Sequence, residues 1–236
     1  MVASPEEREQ FAVRSLTTAD EWRRKGDARW ELTTLSSAVK TLLGVAVERS
    51  ADAAAGTRFL EDSEVGPALG RMAELNEQLS EALHRDGKPT AGAVDNQVTP
   101  VHIAWLLGCW GIGRDLLAAC VDEVVRKFFP LTPFWTEYHR AMDCLAAVRP
   151  YEPAVPRVRG YEQYWVPYLK LTADLTNGRP IATTRAEVAE SFGKRNRDKR
   201  LTDWEMIDGD GKHPVRWDFR EASILRFAAH HQLANR

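Results

Sequence analysis

The sequence predicts an all-α protein, a single multi-helix bundle or helical-hairpin array of about eight helices. Apolar residues recur at steps of three and four over long stretches, whereas the alternating patterns of strands are nearly absent. Helix-start signatures also recur, with a short polar residue placed just before proline or three residues before glutamate. The chain has 236 residues, 44% hydrophobic and 28% charged, enough to bury a sizeable core and unlike a disordered composition. One domain over residues 1–236 is expected, with a candidate subdomain boundary at 149–159, where RPYEPAVPRVR holds three prolines and cannot be regular helix.

In DARWELTTLSSAVKTLLGVAVE, Leu32, Leu35, Val39, Leu42 and Ala46 share one helical face, and Asp27 is placed to cap it. After Ser63, Ala68, Met72, Leu75, Leu79 and Leu83 form the apolar face of a second helix, which stops near Asp86-Gly87. Thr99-Pro100 and Thr132-Pro133 each join a cap to a proline at the first helical position. The first opens a helix read as continuing through GCWGIGRDLLAACVDEVVRKFF, with Ala104, Gly108 and Gly111 as a strip of small residues against a close neighbour. The uncharged run VTPVHIAWLLGCWGIG falls short of the roughly 20 residues of a membrane span and reads as a buried helix. GYEQYWVPYLKLTADLTNG predicts a helix kinked at Pro167. TRAE at 184–187 predicts a helix capped by Thr184 and stopping at Gly193, and DFRE at 218–221 predicts a last helix capped by Asp218.

The formal charge of −2 divides unevenly: residues 1–150 carry 22 acids against 17 Lys and Arg, and residues 151–236 carry 12 against 15. Neither half has the field of a nucleic-acid binder. Cys109, Cys120 and Cys144 are odd in number and lie among apolar neighbours, so they read as reduced core residues. That usage, with an acidic start where a leader would be basic and apolar, predicts a cytoplasmic setting and no membrane association. Arginine outnumbers lysine 24 to 8, which suits a GC-rich bacterial genome.

Catalytic and cofactor motifs are weak. GCWGIG lacks the spacing of a dinucleotide loop, and no Walker-type GKS or GKT occurs. DGDG at 208–211 begins like a calcium loop, but Lys212 and Phe219 stand where oxygen ligands are needed. No cofactor is implied. The alternative to a non-enzymatic reading is a helical metal- or small-ligand-binding enzyme with a core pocket around His139 and Asp143, four residues apart on one helix, with Glu137 or Cys144 nearby. His102 and the His230-His231 pair are further candidate ligands without a matching set.

The densest unusual stretch is GKRNRDKRLTDWEMIDGDGKHPVRWDF, an irregular loop predicted over 193–218. Lys194, Arg195, Arg197, Lys199 and Arg200 alternate with or precede Asp203, Asp208 and Asp210, and Trp204, His213 and Trp217 add aromatic surface. The mixed signs oppose a polyanion and suit a protein surface, where Arg and Trp dominate contact energy. Glu64, Glu74, Glu77 and Glu81 offer a second, acidic surface suited to a basic partner.

The closing segment HPVRWDFREASILRFAAHHQL resembles that of the all-helical immunity proteins found beside bacterial polymorphic toxins, in which a polar loop with proline and an acid precedes a final helix of small and apolar residues. The resemblance covers the last 30 or so residues and implies a cytoplasmic, non-catalytic protein that binds and blocks a toxin domain. The expectation is a protein-binding protein whose partner is a protein and not nucleic acid.

Overall fold

A computed structural model describes residues 4–88, 97–154, 158, 160–197 and 215–233. Among these residues the chain forms eleven α-helices and one 3-10 segment, with no strand, so the fold is an all-α bundle. The helices are α1 (Pro5–Lys25), α2 (Ala28–Arg49), α3 (Ala53–Glu61), α4 (Val65–Asp86), α5 (Thr99–Leu106) and α6 (Trp110–Val121). They continue with α7 (Glu123–Phe128), α8 (Pro133–Ala146), α9 (Val166–Thr176), α10 (Ala182–Arg197) and α11 (Phe219–His230), and the 3-10 turn Gly160–Trp165 leads into α9. No helix among the described residues is long and apolar enough to cross a membrane.

Local chemistry accounts for most helix ends. Ser4 and Glu7 close a reciprocal capping box on α1, which ends at Gly26 with φ +71°. Asp27 accepts from the Trp30 amide at the start of α2, and Thr132 accepts from the Trp135 amide at the start of α8. Asp218 accepts from the amides of Arg220 and Glu221 at the start of α11. Gly87, in the left-handed region, ends α4.

Four expectations are corrected. The run from Thr99 is not one helix, because Gly108 takes φ +73° and separates α5 from α6, and Asp122 then caps a distinct α7. Thr99 lies inside α5 after Val98, so it is not the cap. Thr184 does not cap α10, which begins two residues earlier and runs past Gly193 to Arg197; the Thr184 hydroxyl donates back to the Ile181 carbonyl. Pro167 sits in the first turn of α9, where its missing N–H has no partner to lose, and it starts that helix instead of kinking it.

All eight residues of α5 are buried. It packs on α11, α6, α2 and α4, and residues on both sides of 149–159 join one apolar cluster that includes Tyr151. Of the expected strip Ala104, Gly108 and Gly111, Ala104 joins a close approach to Gly113, where a Cβ would sit 3.5 Å from the Ala104 Cβ and 2.6 Å from the Trp105 ring. A second approach joins the far ends of the chain. Trp217 is 6% exposed and its ring covers Gly56 of α3, its indole N–H donates to the Ala46 carbonyl at 3.4 Å, and the Arg216 amide donates to Val47 at 3.1 Å.

A Cβ at Gly56 would fall inside the Trp217 ring, whereas one at Gly66 of α4 meets nothing within 4 Å. Gly56→Ala is therefore expected to destabilise the fold by about 1–3 kcal/mol through overpacking. Gly66→Ala is expected to be neutral or stabilising by up to about 1 kcal/mol. Urea midpoints of the two variants measure the difference, and equal midpoints would remove Trp217 from the core account.

Candidate functional site

The predicted contact loop divides on folding. Lys194 and Arg197 are exposed at the end of α10, and Lys194 pairs with Glu190 one turn back at 2.7 Å. Arg195 and Trp217 are buried, at 1% and 6% exposure, so as side chains of the chain's own core they are not contact-surface residues. Lys199, Arg200, Asp203, Trp204, Asp208, Asp210 and His213 lie outside the described residues.

Arg195 is buried because aromatic faces accept its planar cation. Its guanidinium lies over the Trp165 ring at 4.4 Å and over Phe192 at 4.9 Å. Arg220 of α11, also 1% exposed, lies over the same Trp165 ring at 4.1 Å and over Phe219 at 4.4 Å. Beside them the Tyr168 hydroxyl donates to Asp218, the carboxylate that also caps α11. Burial, and then the Asp218 charge, push the Tyr168 phenol well above its ordinary range, so it stays a donor. This cluster joins α9, α10 and α11 around one indole.

His102 of α5 is likewise tied inward. The Ser223 hydroxyl donates to the Arg220 carbonyl at 2.8 Å, so it accepts from His102 Nδ1 at 2.7 Å; Nε2 then accepts from the Tyr138 hydroxyl at 3.1 Å. Burial, and then the charge of Arg220, hold His102 well below its ordinary pKa.

His139 and Asp143, the centre of the alternative pocket, turn to different partners. His139 is buried and donates from Nδ1 to the Cys120 carbonyl at 3.1 Å, while the Asp143 carboxylate turns to Arg149 at 2.6 Å. Glu137 accepts from Tyr151, the Ala154 amide and Arg140 at 2.6–2.9 Å. Burial pushes Glu137 up, but Arg140, Tyr151 and the Ala154 amide outweigh it and keep the carboxyl below its usual value. Cys144 is half-buried, and burial raises its thiol pKa, the reverse of an activated nucleophile. His230 stacks on Trp110 with ring centroids 4.5 Å apart. Among the described residues no group of three or more His, Cys, Asp or Glu is placed to hold a metal ion.

The acidic face of α4 gains partners that its own sequence did not announce. Glu74, Glu77 and Glu81 line a groove of about 1030 Å³ against α6, joined there by Asp115 and Asp122. Ala73, Ile112, Ala118 and Ala119 lie between these acids. Five carboxylates and the guanidinium of Arg85 line it, and from beside the lining Arg71 pairs with Glu74 at 2.9 Å and Arg114 with Asp115 at 3.5 Å. Glu74, Glu77, Glu81 and Asp115 are exposed. Asp122 is partly buried: burial raises its pKa, but the amides of Val125 and Val124 and a 2.8 Å contact with His84 outweigh that and hold it down. Asp115 and Asp122 are seven apart, two helical turns, so a shared face was readable; that this face meets α4 was not. Glu64, at the N-cap of α4, is separated from the other three and lines a different groove beside α1.

Fold and groove together define an all-α protein with a deep acidic surface furrow. No protein-family model matches the chain, and no curated protein or solved structure matches it.

His139 is held down to about 4 by burial, which outweighs its bond to Cys120, and His102 is lowered too. Unfolded histidines, at about 6.5, therefore bind protons that the folded ones refuse. Their stabilising contribution is full above about pH 6.5 and is lost as pH falls; for His139 the loss is spread over about 6.5 to 4 and reaches about 3 kcal/mol. His139→Gln, which keeps a donor for the Cys120 carbonyl, should flatten the fall in unfolding free energy over that window. An unchanged slope from denaturant titrations at pH 7.5, 6 and 5 would show that His139 is protonated in the folded state.

Proposed function

We propose that the chain is a non-enzymatic, cytoplasmic protein-binding protein, and most concretely an immunity protein that neutralises a cognate toxin by covering a basic surface on it. The observation that carries this is the α4–α6 groove, where five carboxylates surround an apolar floor. Such a surface attracts a basic domain at long range and has apolar side chains available to hold it once water leaves. Basic domains include those that cut nucleic acid, which must themselves be cationic to hold their substrate. An inhibitor that presents carboxylates in place of phosphates competes for that surface. The likeness of the closing segment to immunity proteins supports the same reading, as does the engagement of His102, Glu137 and His139 in internal bonds.

Co-expression with the product of the adjacent gene tests it. Host growth should be protected and a stable complex should elute on gel filtration. Glu77→Lys with Glu81→Lys should lower the association rate by about tenfold or more at low salt, with a smaller effect at high salt. Undiminished toxicity with no complex would sink the immunity reading, and an association rate indifferent to both substitutions would remove the groove from it.

A further inference from the structure

A second groove lies on the opposite side of α4, between α1, α2 and the α3–α4 turn, with a volume of about 680 Å³. We infer that it is the docking site for an amphipathic helix of a partner protein, with an apolar face and cationic side chains at one end. This rests on the reading of the chain as a protein-binding protein, but on a separate surface.

The walls follow from helical spacing. On α1, Arg8, Ala12, Ser15 and Ala19 are buried, and the small side chains of the last three let α1 lie close on α2. The stripe one residue on, Glu9, Val13, Leu16 and Asp20, faces the groove. On α4 the matching stripe is Glu64, Pro67, Ala68 and Arg71, at i, i+3, i+4 and i+7. Leu35 and Leu42 of α2, with Phe59 of α3, supply the floor. Val13 is 55% exposed, which leaves an apolar wall facing water.

The ends of the groove differ in charge. At one end Arg23 of α1 and Arg71 of α4 both donate to the buried carboxylate of Glu31, at 2.9 and 2.8 Å, so the two cations there are balanced by Glu31 and Asp20. At the other end Glu9, Asp62 and Glu64 line the opening, and the Arg49–Glu9 pair fixes that end beside the C-terminus of α2. With the paired Glu31 and Arg49 counted, the Arg23 end is balanced and the Glu9 end keeps three acids against one arginine, a formal −2. Glu9 to Asp20 is eleven residues, or about 16 Å, of α1. That is three turns of an apolar stripe bracketed by acids.

The form of the occupant follows from the walls. They are helices, whose backbone groups are spent internally, so no sheet edge is offered among the described residues and a bound chain must satisfy its own amides and carbonyls. A helix does this, presenting anchors at i, i+3 or i+4 and i+7. The Glu9 end favours Lys or Arg on the incoming helix.

The probe is a fluorescein-labelled peptide of about 18 residues with leucines on one helical face and lysines at one end, followed by anisotropy. Saturable binding is expected, weakened about tenfold or more when glutamates replace the lysines, and lost when the same leucines are scrambled. Val13→Asp, at an exposed position that keeps the fold, should weaken it by about tenfold or more, and Phe11→Asp, 51% exposed and outside the groove lining, should not. Thermal melts of both variants report folding. Absence of saturable binding up to about 100 μM, equal binding of the scrambled peptide, or indifference to Val13→Asp in a folded variant overturns the inference. Binding without toxin neutralisation leaves the groove standing and the immunity reading fallen; neutralisation through Glu77 and Glu81 without peptide binding does the reverse.

Discussion

Helix α5 sets the terms for the rest of the molecule. A helix with no exposed residue leaves the imidazole of His102 no route to water, so on α5 it has to be satisfied from within. Ser223 of α11 meets one ring nitrogen and Tyr138 of α8 the other, so satisfying one imidazole fixes three helices and one tautomer. The constraint propagates. Ser223 can accept only because its own proton goes to the Arg220 carbonyl, and Arg220 is held over Trp165, which also carries Arg195. A chain of contacts thus runs from the core helix to the root of the segment beyond Arg197.

The N-terminal half is organised by a different device, the Glu31 carboxylate, 1% exposed on α2 and bonded by Arg23 of α1 and Arg71 of α4. Burial pushes Glu31 up, but the two guanidinium groups outweigh it and keep it ionised. Removing either partner would leave a buried charge short of compensation, which costs more than the pair gains when intact. The clamp closes one end of the α1–α2–α4 groove and leaves the Glu9 end to carboxylates. Helix α4 therefore lines two grooves, one beside α1 and one beside α6, on either side of the core stripe Val65, Leu69, Met72 and Leu75.

Much of this was legible in the residues. Asp27, Thr132 and Asp218 cap where short polar side chains before apolar runs should, and Gly87 ends α4, because caps are decided by neighbours within four residues. What depends on distant partners was not. Arg195 sits in a basic run that reads as a protein-contact surface, and its burial is decided by Trp165, thirty residues earlier. Trp217 reads as a contact aromatic and is claimed by Gly56. The helix break at Gly108 turns on one positive φ inside an otherwise uninterrupted apolar pattern. Of the acidic surface, Glu74, Glu77 and Glu81 were visible on one helix face; Asp115 and Asp122 joined them only through the packing of α6 on α4.

The docking of Trp217 on Gly56, and of Ser223 on His102, has a consequence for how the chain reaches this state. These contacts close loops of 161 and 121 residues, long separations for a helical protein, in which local contacts ordinarily make folding fast. On the ribosome α5 emerges more than a hundred residues before α11, the helix that covers it. Until then the part of its apolar surface that α11 covers is bare, which exposes the nascent chain to aggregation and to chaperone capture in that interval. Among the described residues the core around α5 is completed by α11, so its assembly waits on a helix made well after those that form first.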